Sequence, residues 1–343
     1  MDFWCALKTR KKNSPDKLAN STFRHPKGAQ ILSCTCLAAA ILLFPARSVS
    51  WGFTAHRHIV DIAIAWLPLQ LQPFFKHHRS WLLEHALDAD LRKHTMRDEG
   101  ARHYIDLERY GNTDSLGRIF PMTWPAAVAL WSEDSLKAHG IGPWYAQRVY
   151  WNLVRAYEQN DSTGILRHSI DLAHYVADLN VPLHTTSNYN GQKTGQIGIH
   201  SLWETQIPER HRTTFRLNPD RNSLHCSYFE NVEYEIWSAV FNSHSLLPDV
   251  FQCENKVRKQ LHGVAIDQYV ARGRTRQLMR SLEFVDLYHQ LLNDQVENQM
   301  RRSIHCISSV WYSAWIDAGQ PPLPIIERSN PSKFKKALDW LLR

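Results

Sequence analysis

Apolar residues recur at helical spacing through most of the chain after residue 51, and alternating strand patterns are scarce. The run His58 to Leu67 (HIVDIAIAWL) keeps that spacing and stops at Pro68. The same period predicts helices over 72–84, 124–138, 144–159, 163–179, 227–242, 255–272, 275–292 and 297–318. Tyr189 to Ile199 is rich in Gly and Asn and reads as a loop. The Pro-rich stretch 321–324 closes the core, with a short helix expected over 331–342. No internal repeat or low-complexity block interrupts the pattern. An all-α single domain over 51–343 is expected, with a two-lobed packing as the alternative at this length.

Residues 1–30 are polar and basic, and Ile31 to Phe44 forms a 14-residue apolar stretch. Ser48 and Ser50 then occupy the −3 and −1 positions of a cut before Trp51. This is the layout of a signal peptide over 1–50, removed on export to a secreted or periplasmic location. The stretch falls short of the ~20 apolar residues of a membrane span, so no stable span is expected after cleavage. An uncleaved N-terminal anchor is the alternative. Cys34 and Cys36 open the apolar run instead of following it, which argues against a lipoprotein cut. Cleavage leaves Cys226, Cys253 and Cys306. They are too few for a disulfide scaffold, although export would permit one bridge.

The 343 residues are 43% hydrophobic and include 13 Trp, enough for a sizeable core and against bulk disorder. A formal charge of +7 points toward nucleic acid, but its distribution changes that picture. Of the chain's 40 Lys/Arg and 33 Asp/Glu, residues 1–50 hold eight and two, leaving 32 bases against 31 acids over the other 293 residues. A broad electrostatic grip on polyphosphate is therefore not indicated for the body. Nineteen His are the unusual count, and their clustering matters more than their number.

The densest cluster runs His174-Tyr-Val-Ala-Asp178, then Leu-Asn-Val-Pro-Leu-His184, then a loop, then His200-Ser-Leu-Trp-Glu204. His174 and Asp178 are four apart, which puts them on one helix face, and His200 and Glu204 repeat the spacing. Each pair is half of a zinc site. Pro182 bends the chain so that His184 can turn toward the second pair. One such pair alone reads as a surface contact; two pairs with a histidine between them favour metal. Arg102-His103-Tyr104-Ile105-Asp106 and Asp88-Ala89-Asp90 lie upstream. By themselves they read as a core histidine and as a solvated exit from an 81–87 helix. The new terminus is Trp51-Gly-Phe-Thr-Ala-His56. Its free α-amine is neutral in good part near pH 8 and can bind zinc, its carbonyl completes a five-membered chelate, and His56 could add a ligand.

Together these pieces resemble the zinc-dependent phosphodiesterases that include the fungal and plant single-strand nucleases and the bacterial zinc phospholipases C. The resemblance spans Trp51 to about Ala318. It rests on the N-terminal Trp with a His five residues on, the HxxxD-x5-H run and the later HxxxE. It implies that family's compact multi-helix domain with a trinuclear zinc cleft. Carried over residue by residue, it implies three Zn2+ per chain. One is held by Asp90, His103, His174 and Asp178. A second is held by His184, His200 and Glu204. The third is held by the amine and carbonyl of Trp51, by His56, and by Asp178 as a bridge. Asp88 is close enough to stand in for Asp90.

The Trp-to-His spacing and the run from His103 to Asp106 look like the nucleases, where such residues line a base pocket, so Tyr104 and Asp106 are the substrate-binding candidates. Glu204 looks like the phospholipases, since the nucleases usually have Asp there. The fungal nucleases carry two disulfides, which three cysteines cannot make. The resemblance implies a monomeric hydrolase acting on single-stranded nucleic acid or nucleotides and releasing 5′-phosphates. Asp90 is its expected catalytic residue, orienting the attacking water. A phospholipase C acting on phosphocholine-type phospholipid is the first alternative. A non-catalytic exported zinc-binding protein is the second. Haem is disfavoured because no CxxCH is present.

Overall fold

The helix Ser162–Leu179 organises the packing, and its sequence explains why. All eight residues from Leu172 to Leu179 are buried, so this half of the helix is enclosed on every side. The helices Phe53–Trp66, Gly142–Glu158, Val232–Ser245 and Gln295–Asp317 pack against it. In Gln295–Asp317 the indole of Trp311 is fully buried, stacks on Phe75 at 4.8 Å and donates to the Ser169 carbonyl at 2.9 Å. The last carbonyls of a helix have no partner within it. Here Ser243 Oγ donates to the Leu179 carbonyl (2.9 Å) and Gln299 Nε2 to that of Asn180 (2.8 Å). The helix end is thereby fixed by two other helices. This is a computed structural model, and it describes residues 52–111, 120–218, 226–272 and 275–323, all within one unit by contacts.

Several elements differ from the periodicity, each for a local reason. The expected 72–84 helix is two, Gln72–His77 and Arg79–His85, because His78 turns out of the α region at φ −94° and ψ 9°. The apolar spacing of Phe74, Phe75 and Leu82 continues across that turn, so periodicity is blind to it. The 124–138 helix also divides, into Trp124–Leu130 and Glu133–Ala138. Trp131 and Ser132 are extended, and Ser132 Oγ accepts from Ser135 N, the N-cap bond that Ser favours. The 227–242 helix starts later, at Val232, where Asn231 caps it.

The largest correction is a β-hairpin. The expected 255–272 and 275–292 helices are instead Leu247–Gln260 and Leu282–Leu291. Between them Asp267–Arg272 pairs antiparallel with Thr275–Arg280, Arg272 opposite Thr275. The sequence signal was Gly273 between two short runs containing Tyr, Val and Thr. The described residues are mostly helical, as the all-α expectation has it, with one two-stranded sheet added. Asp88 and Asp90 likewise do not leave a helix; they open the short helix Asp88–Arg92. Trp315 Nε1 donates to the Pro321 carbonyl, and Leu323 packs against the core, so 321–323 closes it as expected. The leader over 1–50, Trp51, Pro324 and the helix expected over 331–342 lie outside the described residues. Cys226, Cys253 and Cys306 are free thiols, so no bridge forms among them. Among the described residues no helix is long and apolar enough to cross a membrane.

Candidate metal centre

Five separate stretches meet at the C-terminal end of the Ser162–Leu179 helix. His174 and Asp178 stand one turn apart on it, both buried. The chain then folds back through the 3-10 turn Pro182–Thr185, held by Val181 N to Asp178 O (2.9 Å). That turn carries His184, whose Nδ1 donates to the His103 carbonyl (2.7 Å) while Ile105 N donates to the His184 carbonyl (2.9 Å). His103 closes the 3-10 turn Gly100–His103. His56 lies on the first helix, Phe53–Trp66, and Asp90 on Asp88–Arg92.

His200 and Glu204 come from a helix with an irregular interior. It opens at Gly198, whose φ of 93° favours glycine, and runs as Ile199–Ser201. It then widens into a π segment, Leu202–Gln206, before Ile207–His211. Such bulges occur frequently at functional sites. Two anchors hold this one: Trp203 Nε1 donates to Gln295 Oε1 (3.0 Å), and Gln206 Oε1 accepts from Arg280 N (2.9 Å) in the hairpin. Gly52 N donates to the Glu204 carbonyl at 3.1 Å, and a Cβ on Gly52 would lie 2.7 Å from Thr205 Cγ2. Only glycine fits that approach. Trp51, the expected N-terminal ligand, lies outside the described residues.

The side chains form three buried groups that could each hold a metal ion: His56, His174 and Asp178; Asp90, His103 and His174; and His184, His200 and Glu204. His56 Nε2 is 3.4 Å from Asp178 Oδ1, and His174 Nε2 is 3.5 Å from Asp178 Oδ2 and 3.6 Å from Asp90 Oδ1. His103 Nδ1 is 2.7 Å from Asp178 Oδ2. In the third group Glu204 Oε2 is 3.0 Å from His200 Nε2 and 3.5 Å from His184 Nε2. Asp178 reaches toward that group too, with Oδ2 3.8 Å from His184 Nδ1. Asp88 is turned away, 2.7 Å from His85 Nδ1, so Asp90 is the one of the two that faces the cluster.

The tautomers suit metal. His174 Nδ1 donates to the Ala86 carbonyl (3.0 Å), as His184 Nδ1 does to that of His103. With Nδ1 committed to a carbonyl, each ring turns its Nε2 toward the cluster, and both Nε2 atoms are buried without a hydrogen-bond partner. Asp90 Oδ2 is buried and unpartnered too. Water would be a poor substitute for partners at so many ionisable atoms, whereas a cation satisfies them together. The electrostatics divide the histidines: Asp178 and Asp90 outweigh burial and raise His174 to about 9, whereas two others are pushed down. Burial and the stacked His174 ring, 4.1 Å away, push His56 down to about 4. Burial and Lys93 push His200 down to about 3. Both are neutral imidazoles at pH 7. Burial opposes charge on Asp178, yet His174 and His184 hold its carboxyl well below the usual range. Burial also opposes charge on Asp90, and His174 and Lys93 overcome it.

Tyr104 and Asp106 sit beside this cluster. Burial and the neighbouring Glu108 raise Asp106 to about 6, and its Oδ2 is 3.6 Å from His139 Nδ1. Tyr104 is raised by burial, then by Asp106 and by Tyr189. The Tyr189 ring lies edge-on to His200 at 5.8 Å and is 47% exposed, so an aromatic side chain stands free at the cluster's margin. Sequence reasoning missed Tyr189; its only signal was its place in the loop between His184 and His200. It also missed Lys93, whose Nζ is 2.7 Å from Asp90 Oδ1, and Glu99, whose Oε1 is 3.8 Å from His103 Nε2. No protein-family model matches this chain, and no curated protein matches it either.

Proposed function

We propose that this chain is an exported zinc-dependent phosphodiesterase that hydrolyses single-stranded nucleic acid to 5′-phosphorylated products. The observation that carries this reading is the meeting of three buried ligand groups around Asp178. Three protein ligands and an open position make a catalytic zinc site. Several metal ions side by side suit a phosphodiester, whose attacking and leaving oxygens both need stabilising. The donors are imidazole and carboxylate, which zinc accepts. Asp90, His103, His174 and Asp178 would hold one ion; His184, His200 and Glu204 a second; His56, Asp178 and the processed amine and carbonyl of Trp51 a third. Bound zinc supplies Lewis acidity and brings the pKa of a coordinated water to about 7.

The chain's own groups do the rest. Asp90, kept ionised beside His174 and Lys93, would orient the attacking water through its unpartnered Oδ2. Tyr104 and Tyr189 would flank a base, with Asp106 at its polar edge. A base must leave its stack to be held this way, which favours single strands. Glu204 looks like the phospholipase branch and keeps phosphatidylcholine as the rival substrate. Two assays of the purified protein, on single-stranded DNA and on phosphatidylcholine vesicles, separate them. Metal analysis should approach three zinc per chain. His174→Ala should lose zinc and activity together, and an active, zinc-free variant would end the reading. Bound zinc with no turnover on any phosphate ester would support a non-catalytic protein.

A further inference from the structure

The stretch that carries His200 and Glu204 is bracketed by a buried ion pair from elsewhere in the chain. Arg280 ends the second hairpin strand and is buried. Its backbone N donates to Gln206 Oε1 (2.9 Å), two residues after Glu204. Its Nη2 donates to the Ile197 carbonyl (2.8 Å), three residues before His200. Its Nη1 donates to Asp267, the residue opposite it in the hairpin. Glu254, on the helix Leu247–Gln260, is fully buried with Oε1 3.4 Å from Arg280 Nη2. Glu254 Oε2 accepts from Gln196 Nε2 (2.8 Å), and Oε1 accepts from Arg258. The loop gripped here also carries Tyr189, and Asn190 Oδ1 within it accepts from Gly198 N at 3.0 Å.

Stability alone does not explain this arrangement. Two buried charges give up their hydration, and well-packed apolar residues of similar volume often serve a fold as well or better. What an apolar pair cannot supply is a directed grip on a carbonyl and an amide. Arg280 and Glu254 hold residues 196, 197 and 206, so the span containing both ligands is fixed at its two ends. Between those ends the helix widens into the π segment Leu202–Gln206, a rare form. A return to regular turns would swing Glu204 about the helix axis and break its approach to His200 and His184. Ends that cannot move oppose that return.

We propose that Arg280 and Glu254 are positioning residues, acting through residues 196–197 and Gln206 to hold His200 and Glu204 in place for one metal ion. It rests on the zinc reading above. The test is the double variant Arg280→Met with Glu254→Leu in the zinc-loaded protein. Arg258 and Asp267 are partly exposed and can turn to water, and Gln196 Nε2 keeps the Phe251 carbonyl at 2.9 Å. The melting temperature of the chelator-treated variant should therefore stay within a few degrees of wild type. Bound zinc, counted after dialysis, should nevertheless fall by one ion per chain. Adding His200→Ala should lower the count no further, since both changes act on the same ion. Arg280→Lys keeps the charge and loses the fork, so it should weaken that ion roughly tenfold in chelator competition. If the wild type holds zinc and the double variant holds as much at the same affinity, the positioning role is refuted while the zinc reading stands. A further ion lost on adding His200→Ala would place the effect elsewhere and also overturn it. Should the double variant not fold, Arg280→Lys decides by the same competition, with unchanged affinity refuting the role. If the wild type holds no zinc, both fall.

Discussion

Glu99 shows what single residues do around the cluster. Its carboxylate is fully buried and takes hydrogen bonds from Tyr175 Oη and Arg102, with Arg92 3.3 Å away. Burial opposes its charge, but His103 and Tyr175 hold it down at about 2. Its Oε1 faces the ring nitrogen of His103 that points away from Asp178. A carboxylate behind a ligating histidine orients the ring and raises its basicity. Glu99→Gln keeps the shape and removes the charge. Zinc affinity, measured by chelator competition, should drop roughly 10- to 100-fold; unchanged affinity would reduce Glu99 to a packing role. The four candidate ligands at i,i+4 spacing were legible in the sequence, because helix geometry alone pairs His174 with Asp178 and His200 with Glu204. Glu99 was not, because only the folded chain brings it to His103. His56, His103 and Asp90 fell between these cases. Nothing local marks them, and they entered through a resemblance.

At the scale of elements, the π segment and the start of the first helix depend on each other. Gly52 lies against Thr205 and bonds the Glu204 backbone. Gly52→Ala should push the two apart and weaken binding at Glu204 and at His56, four residues on. We expect at least one zinc to be lost on dialysis, with Thr205→Ala in the same chain restoring part of it. Retention of full metal content by Gly52→Ala would show that the contact has slack. Further from the cluster, Gln299→Ala should cost about 1–3 kcal/mol of stability in denaturant melts, since it strips a buried carbonyl of its partner. Helix identity was readable where apolar spacing ran long, as in Ser162–Leu179. The hairpin was not, because six-residue strands beside helices blend into their period and only Gly273 marked the turn. The π segment was unreadable for a different reason: a widened turn leaves the i,i+4 ligand spacing intact.

At the scale of the molecule, the groups that could hold metal are also the ones that protons would claim. Without metal, burial and its neighbours put His56, His78 and His200 at about 4, 4 and 3, against 6.5 in the unfolded chain. These histidines stay neutral in the fold and protonate on unfolding. Their contribution is present above pH 6.5 and is lost as pH falls from 6.5 toward 4. His174 runs the other way: its neighbours Asp178 and Asp90 outweigh burial and raise it to about 9, so its contribution is complete below 6.5 and fades as pH rises through 9. The melting temperature of chelator-treated protein should therefore drop between pH 7 and pH 4. Added zinc should restore it at pH 7, by about 2.7 kcal/mol once free zinc is 100 times its Kd. A melting temperature indifferent to both chelator and zinc would contradict a metal held by the fold.

The ligands are spread along the chain from His56 to Glu204, with the two ends tied directly by the bond from Gly52 to the Glu204 carbonyl. That spread sets an order of events during biosynthesis. A nascent chain emerging from the ribosome holds no finished site until residue 204 is out, and the partial sets before then bind weakly. On the proposed reading, zinc capture would be a late step, one that seals about 150 residues at a stroke. A chain threaded unfolded through a translocon would acquire its ions only on the far side.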